Sequence, residues 1–118
     1  MHNYRELKVW QRSRLFVHDV YKKSGTFPNE ERFGITSQLR RAVVSIPSNI
    51  AEGAGRNSDP DFSRFLDMAL GSAYEVETLL LLCVDLSYLD ETKYNVLQNE
   101  LNEIQRMINS LNQRMRGN

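Results

Sequence analysis

Between residues 94 and 115 the apolar side chains Tyr94, Leu97, Leu101, Ile104, Ile108, Leu111 and Met115 recur at alternating steps of three and four. That spacing runs a stripe down one side of an α-helix, and its heptad persistence is the pattern of a helix packed along other helices. Asn, Gln, Glu and Arg fill the positions between, and they prefer solvent. A chain of 118 residues with such a segment needs partner helices to cover the stripe.

The preceding segment supplies one. Phe62, Leu66, Ala69, Ala73, Val76, Leu80 and Cys83 form a stripe of opposite phase, with Phe65, Met68, Leu79, Leu82 and Leu86 beside it. Leu79 to Leu82 are four consecutive leucines, so this helix is apolar nearly all round near its end. In a small bundle no helix is fully surrounded, so the excess predicts an interface between subunits. Leu79 and Leu82 are the residues expected to hold it.

Three breaks divide the chain. Ser24-Gly25-Thr26-Phe27-Pro28 ends a first helix that starts near Leu7. Gly53-Ala54-Gly55-Arg56-Asn57-Ser58-Asp59-Pro60 separates a second helix, about 35–54, from the third, with Ser58 or Asp59 as N-cap and Pro60 in the first turn. Ser87-Tyr88-Leu89-Asp90 is the weakest break, and Asp90 is a suitable N-cap. A short turn at 29–33 precedes the second helix, and Gly34 marks its start. In the first helix, Val9, Phe16 and Val20 form one stripe and Trp10, Val17 and Tyr21 another. No strand-like alternation or repeat occurs. The prediction is all-α, one antiparallel up-down-up-down four-helix bundle over residues 1–118. At this size roughly two-thirds of the unfolded surface is buried on folding, enough for one core without metals or disulfides.

The second helix sorts into two faces at 100° per residue. Ile35, Leu39, Ala42, Val43, Ile46 and Ile50 share the apolar one. Opposite lie Ser37, Gln38, Arg41, Ser45, Ser48, Asn49, Glu52 and Arg56. Solvent faces usually favour Lys and Glu, the better helix formers. Small polar residues here predict that something packs close, with Arg41 paired to Glu75 or Glu77 of the third helix, since a buried guanidinium needs a carboxylate. Pro47 removes a backbone donor and crowds the carbonyl of Val43, predicting a kink. Ser45, Ser48 and Asn49 are placed to bond the disturbed backbone.

Charge and side-chain chemistry narrow the function. Lys and Arg total 15, as do Asp and Glu, so there is no global pull towards polyanions. The balance is uneven along the chain: residues 1–60 hold ten basic and six acidic residues, residues 61–118 five and nine. Either the halves attract one another, within the bundle or between subunits, or the basic half steers a polyanion. The single Cys83 sits among leucine and valine, as a buried thiol does, and offers no disulfide. Neither His2 nor His18 belongs to a Glu-x-x-His pair, and no zinc spacing occurs, so no metal or cofactor is expected. Gly53-Ala54-Gly55 is too short for a phosphate loop. Asp59 and Asp61 flank Pro60 at a helix start, where carboxylates serve the dipole. No catalytic residues are identified and the chain reads as no enzyme. Nothing behind Met1-His2-Asn3-Tyr4-Arg5 resembles a signal peptide, and no apolar run nears the roughly 18 residues of a membrane span. The expectation is a cytoplasmic protein with no membrane partner.

The run Leu39-Arg40-Arg41-Ala42-Val43-Val44-Ser45-Ile46-Pro47-Ser48-Asn49-Ile50-Ala51-Glu52-Gly53 resembles the signature of a bacterial four-helix bundle family often encoded by intervening sequences within 23S ribosomal RNA genes, also labelled S23 ribosomal protein. Leu7-Lys8-Val9-Trp10, Gly34-Ile35-Thr36-Ser37-Gln38, Phe62-Ser63-Arg64-Phe65-Leu66 and Ala69-Leu70-Gly71-Ser72-Ala73-Tyr74-Glu75 match as well. The likeness covers nearly the whole chain. It departs at Ala54, where a larger, often aromatic, residue is the rule. The resemblance implies an up-down-up-down bundle and ring-shaped homopentamers. It also implies a fold similar to the accessory variability proteins of diversity-generating retroelements, which bind nucleic acid and a reverse transcriptase through a basic pentameric surface.

Two functional readings stand. One is a non-catalytic oligomeric protein that binds RNA or DNA, or serves a reverse transcriptase, through Lys22, Lys23, Arg40, Arg41 and Arg56. The expected arrangement is one basic strip per subunit, repeated round a ring. The other is a scaffold that binds another protein and no nucleic acid.

Overall fold

A computed structural model describes residues 1–117. Asp90 opens the last helix by accepting from the Lys93 amide at 2.8 Å, and Ser58 opens the one before it by accepting from Asp61 at 3.2 Å. These caps satisfy orphan donors where the sequence places the breaks. Helix α1 spans Lys8–Ser24, α2 Ile35–Ala54, α3 Asp59–Asp85 and α4 Glu91–Met115. Single 3-10 turns at Tyr4–Glu6 and Asn29–Glu31 precede α1 and α2. The short connections force antiparallel neighbours, giving an all-α four-helix bundle of 43 × 24 × 20 Å. Each helix touches the next in sequence, and α1 closes the ring against α4. No described helix is long and apolar enough to cross a membrane.

The α4 stripe is buried from Leu97 to Leu111, with Tyr94 and Met115 half-buried at its ends. The first stripe of α3 is buried throughout. The second divides. Phe65 and Leu79 lie in the core, whereas Met68, Leu82 and Leu86 are 45%, 44% and 49% exposed. Leu79 therefore belongs to the monomer's own interior, which corrects its expected place at a subunit interface; Leu82 remains on the surface.

α2 and α3 make the most extensive helix contact in the bundle. Gly53 explains how closely they approach. A β-carbon there would stand 2.6 Å from Phe65 Cβ and 2.7 Å from Phe62 Cδ1. The residue sits inside α2 because nothing larger fits, not to end the helix.

Helical hydrogen bonding continues through Pro47. The hydroxyl of Ser45 donates to Ala42 O at 2.6 Å, Ser48 to Val44 O at 2.9 Å, and Asn49 Nδ2 to Ser45 O at 2.9 Å. These bonds flank the Val43 carbonyl that the proline deprives of its donor. At the weak third break, Ser87 takes φ 63°, where glycine is usual, and the Tyr88 and Leu89 amides both turn back to Cys83 O.

A polar node, buried at Ser63 and Asn112 and open to solvent at Asp67 and Arg116, joins α3 to the end of α4. Ser63 Oγ donates to Asn112 Oδ1 at 2.5 Å, and Asn112 Nδ2 donates to Asp67 at 2.8 Å. Arg116 closes the node, reaching Ser63 Oγ at 3.1 Å and Asp67 at 2.7 Å. Asn112 is 3% exposed, although the periodicity of α4 assigns asparagine to solvent.

Candidate nucleic-acid interface

The uneven charge along the sequence becomes a polarity across the bundle. α1 and α2 carry seven Lys or Arg and two acids, net +5, and α3 and α4 carry four and nine, net −5. Since α1 packs on α2 and α3 on α4, one side is basic and the other acidic.

Part of that basic charge is spent inside the molecule. Arg12 reaches across to α4 and grips Glu100 with two bonds of 3.0 and 2.8 Å, with Glu103 at 3.5 Å. The Arg12 pKa is raised, chiefly by its bonds to Glu100. Glu103 also bonds Arg106, which holds its carboxyl below the ordinary range. These pairs tie the basic half to the acidic half within one chain, so intramolecular attraction accounts for part of the asymmetry.

The five expected binding residues do not form one strip. Lys22 and Lys23 end α1, and Arg40 sits beside them because α1 and α2 are antiparallel. Arg40 donates from Nε to Ser24 Oγ at 2.9 Å and from Nη2 to Tyr21 O at 3.2 Å, and its guanidinium lies 4.6 Å from the Tyr21 ring centre. It ties α2 to the end of α1, adding a third donor to a Tyr21 carbonyl that already accepts from the Gly25 amide at 3.1 Å and from Ser24 Oγ at 3.2 Å. α2 runs 14 residues beyond Arg40, about 21 Å at ~1.5 Å per residue, and Arg56 lies two residues past its end. There it pairs with Asp61 at 3.8 Å and packs 4.6 Å over Phe65, with Arg64 on the same ring at 4.7 Å. The expected continuous strip is corrected to a cluster at one end and a separately engaged arginine at the other.

Arg41 is exposed and makes no ion pair among the described residues. It shares a shallow hollow of about 300 Å³ with Gln38, Ser45 and Glu75, which corrects the expected buried pair. Glu77 turns to α4 instead and accepts from Gln98 and Gln105, each at 3.1 Å. Glu75 and Glu52 are exposed. Ser45, Ser48 and Asn49 of α2 thus serve its own backbone.

One pair was missed in the sequence. Arg14 is exposed, lies 5.7 Å over the Trp10 ring and has no carboxylate partner among the described residues. Positions 10 and 14 are one helical turn apart, so an aromatic followed four residues later by arginine was the available signal. Beyond Trp10, Tyr4 stands edge-on at 5.0 Å, with Arg5 at 5.9 Å from the Tyr4 ring. Arg40 aside, Lys8, Arg14, Lys22, Lys23 and Arg41 are the cations of α1 and α2 with no ion pair among the described residues, and Arg5 of the preceding turn joins them.

Comparison with known proteins covers almost all of this architecture. A family model described as 23S rRNA-intervening sequence protein matches residues 5–110. A crystal structure of a protein with unknown function from the S23 ribosomal protein family, from Bacteroides thetaiotaomicron VPI-5482, superposes with a TM-score of 0.78 at 28% identity, covering 87% of this chain and 96% of that one. None of the curated proteins matches.

Proposed function

The chain belongs to the 23S rRNA-intervening sequence protein family, and from that footing we propose that it is a non-catalytic, self-associating protein that binds nucleic acid through its α1–α2 side. The observation that carries this reading is the segregation of charge, +5 on α1–α2 against −5 on α3–α4. A basic side with exposed arginines and lysines attracts a phosphate backbone without regard to sequence. Self-association draws on a second feature. Met68, Leu82 and Leu86 leave α3 with exposed apolar surface on the acidic half, and copies that meet there leave the basic side free. Head-to-tail contacts form rings where the rotation between copies closes. A ring, a pentamer on the family pattern, multiplies a modest patch into multivalent contact.

The test is a fluorescence-anisotropy titration with a hairpin of the 23S type. Affinity falls by roughly tenfold or more between about 50 and 200 mM salt, because phosphate contacts release counterions. Replacing Arg14 and Arg41 together with glutamine flattens the salt slope and leaves the oligomer intact. Absence of binding at the lowest salt rejects the nucleic-acid reading in favour of a protein-binding scaffold.

A further inference from the structure

We propose that the hollow between Trp10 and the Pro47 turn of α2 is a stacking site for an unpaired nucleobase, which makes single-stranded nucleic acid the preferred ligand. The inference rests on the nucleic-acid reading above and narrows it. The hollow has a volume of about 340 Å³, within the ~300–1,000 Å³ range of small-molecule sites. Tyr4 and Trp10 form one wall, held edge-on at 69°. Val44, Pro47 and Ala51 of α2 form the other side. The hollow is open because α2 offers small residues there, Ser48 and Ala51, in place of long side chains. Pro47 presents a ring and no backbone donor, so the floor is apolar.

The polar groups at the rim suit a nucleotide. No carboxylate lines the hollow, and Arg14 is among its lining residues, with its guanidinium 5.7 Å from the Trp10 ring centre. A neighbouring hollow of about 560 Å³ shares Tyr4, Trp10 and Arg14 and adds Arg5 and Gln11. Gln11 Nε2 donates to Arg5 O at 2.7 Å, and Asn3 accepts from the Arg5 amide at 3.2 Å, so the turn carrying Tyr4 and Arg5 is fixed in place. Trp10 is half-buried, and its indole N–H has no acceptor among the described residues. An aromatic wall beside two unpaired guanidiniums matches the chemistry of a base with its phosphate: the face stacks, and the cations take the negative charge. A duplex keeps its bases stacked internally and cannot fill the hollow.

Trp10 is the chain's single tryptophan, so its fluorescence reports on this site alone. The full chain is titrated at low salt with a short single-stranded oligonucleotide, with the same strand in a duplex, and with an acidic peptide of matching charge. The expected result is quenching of Trp10 by the single strand, which binds more tightly than the duplex. Ala51→Leu fills the hollow from the surface and is expected to weaken single-strand binding by roughly tenfold or more, with an unchanged thermal midpoint. Trp10→Phe retains part of the affinity and Trp10→Ala less. Equal affinity for single strand and duplex, or binding without any change in Trp10 emission, overturns the base site while leaving the backbone-binding reading in place. Equal quenching by the peptide also overturns it. Binding of neither nucleic acid removes both.

Discussion

Arg40 donates its Nε hydrogen to Ser24 Oγ at 2.9 Å, joining the second turn of α2 to the last residue of α1. The same guanidinium reaches Tyr21 O and covers the Tyr21 ring, so Arg40 is a structural clamp. Arg41, the next residue, is exposed and unpaired among the described residues. Arg40→Ala is therefore expected to cost about 1–2 kcal/mol, from the lost hydrogen bonds and the ring contact. Arg41→Ala should stay within about 0.5 kcal/mol of the parent. Chemical denaturation of both variants checks the contrast, and a large loss for Arg41→Ala would mean that it holds a partner after all.

Two glycines predict opposite outcomes for the same substitution. Gly53→Ala forces a β-carbon into Phe65 Cβ and Phe62, and α2 and α3 must separate. Overpacking of this kind costs about 1–3 kcal/mol, and it outweighs the helical gain of at most about 1 kcal/mol because the clash is with a rigid Cβ. At Gly71 an added Cβ meets nothing within 4 Å, so Gly71→Ala keeps the helical gain in the isolated chain. Thermal melts should show Tm falling for the first and rising for the second.

Leu79 and Leu82 separate folding from assembly. Leu79 is 6% exposed, and glutamate there buries an unpaired carboxylate among core residues, so Leu79→Glu should unfold the chain. Leu82 is 44% exposed, and Leu82→Glu should leave the helical circular-dichroism signal unchanged. If copies associate through this side of α3, light scattering should show Leu82→Glu shifting the mass towards 13.7 kDa while the fold persists. A folded Leu82→Glu protein with the parent's multiple mass removes that surface from the contact.

How far the sequence could be read depended on whether one helix sufficed. The α4 stripe, the Ser58 and Asp90 caps and the bounds of α2 are properties of single segments, and they appear as expected. The Tyr4–Glu6 turn has no stripe of its own, because it is held by Asn3 and by packing against Trp10. Asn112 looked solvent-facing because its burial depends on Ser63 and Asp67, both more than 40 residues away. The candidate site failed in the same way. Lys22, Lys23 and Arg40 meet because two helices are antiparallel. Arg56 stands apart because helix length separates it, and only the fold shows that Asp61 already occupies it.

Cys83 gives a prediction about pH. Its thiol is fully buried, and that burial, with a smaller contribution from Glu31, raises its pKa from the ordinary value near 9 to about 11. Tyr88 shifts in the same direction, chiefly because its hydroxyl donates to Glu31 at 2.8 Å and the phenolate would lose that bond. In the unfolded chain the thiol releases its proton near pH 9, whereas in the folded chain it keeps the proton until about pH 11. The folded state thus binds more protons in this window, and stability falls as pH rises through it. Below pH 9 the contribution is fully present. Denaturation midpoints measured across the alkaline range should therefore decline, and Cys83→Ala should decline less steeply while losing some stability at neutral pH to the cavity it leaves. Thiol-reactive reagents should modify Cys83 at neutral pH only after denaturant is added. Rapid modification of the native protein would mean that the α3 end opens far more readily than its packing implies.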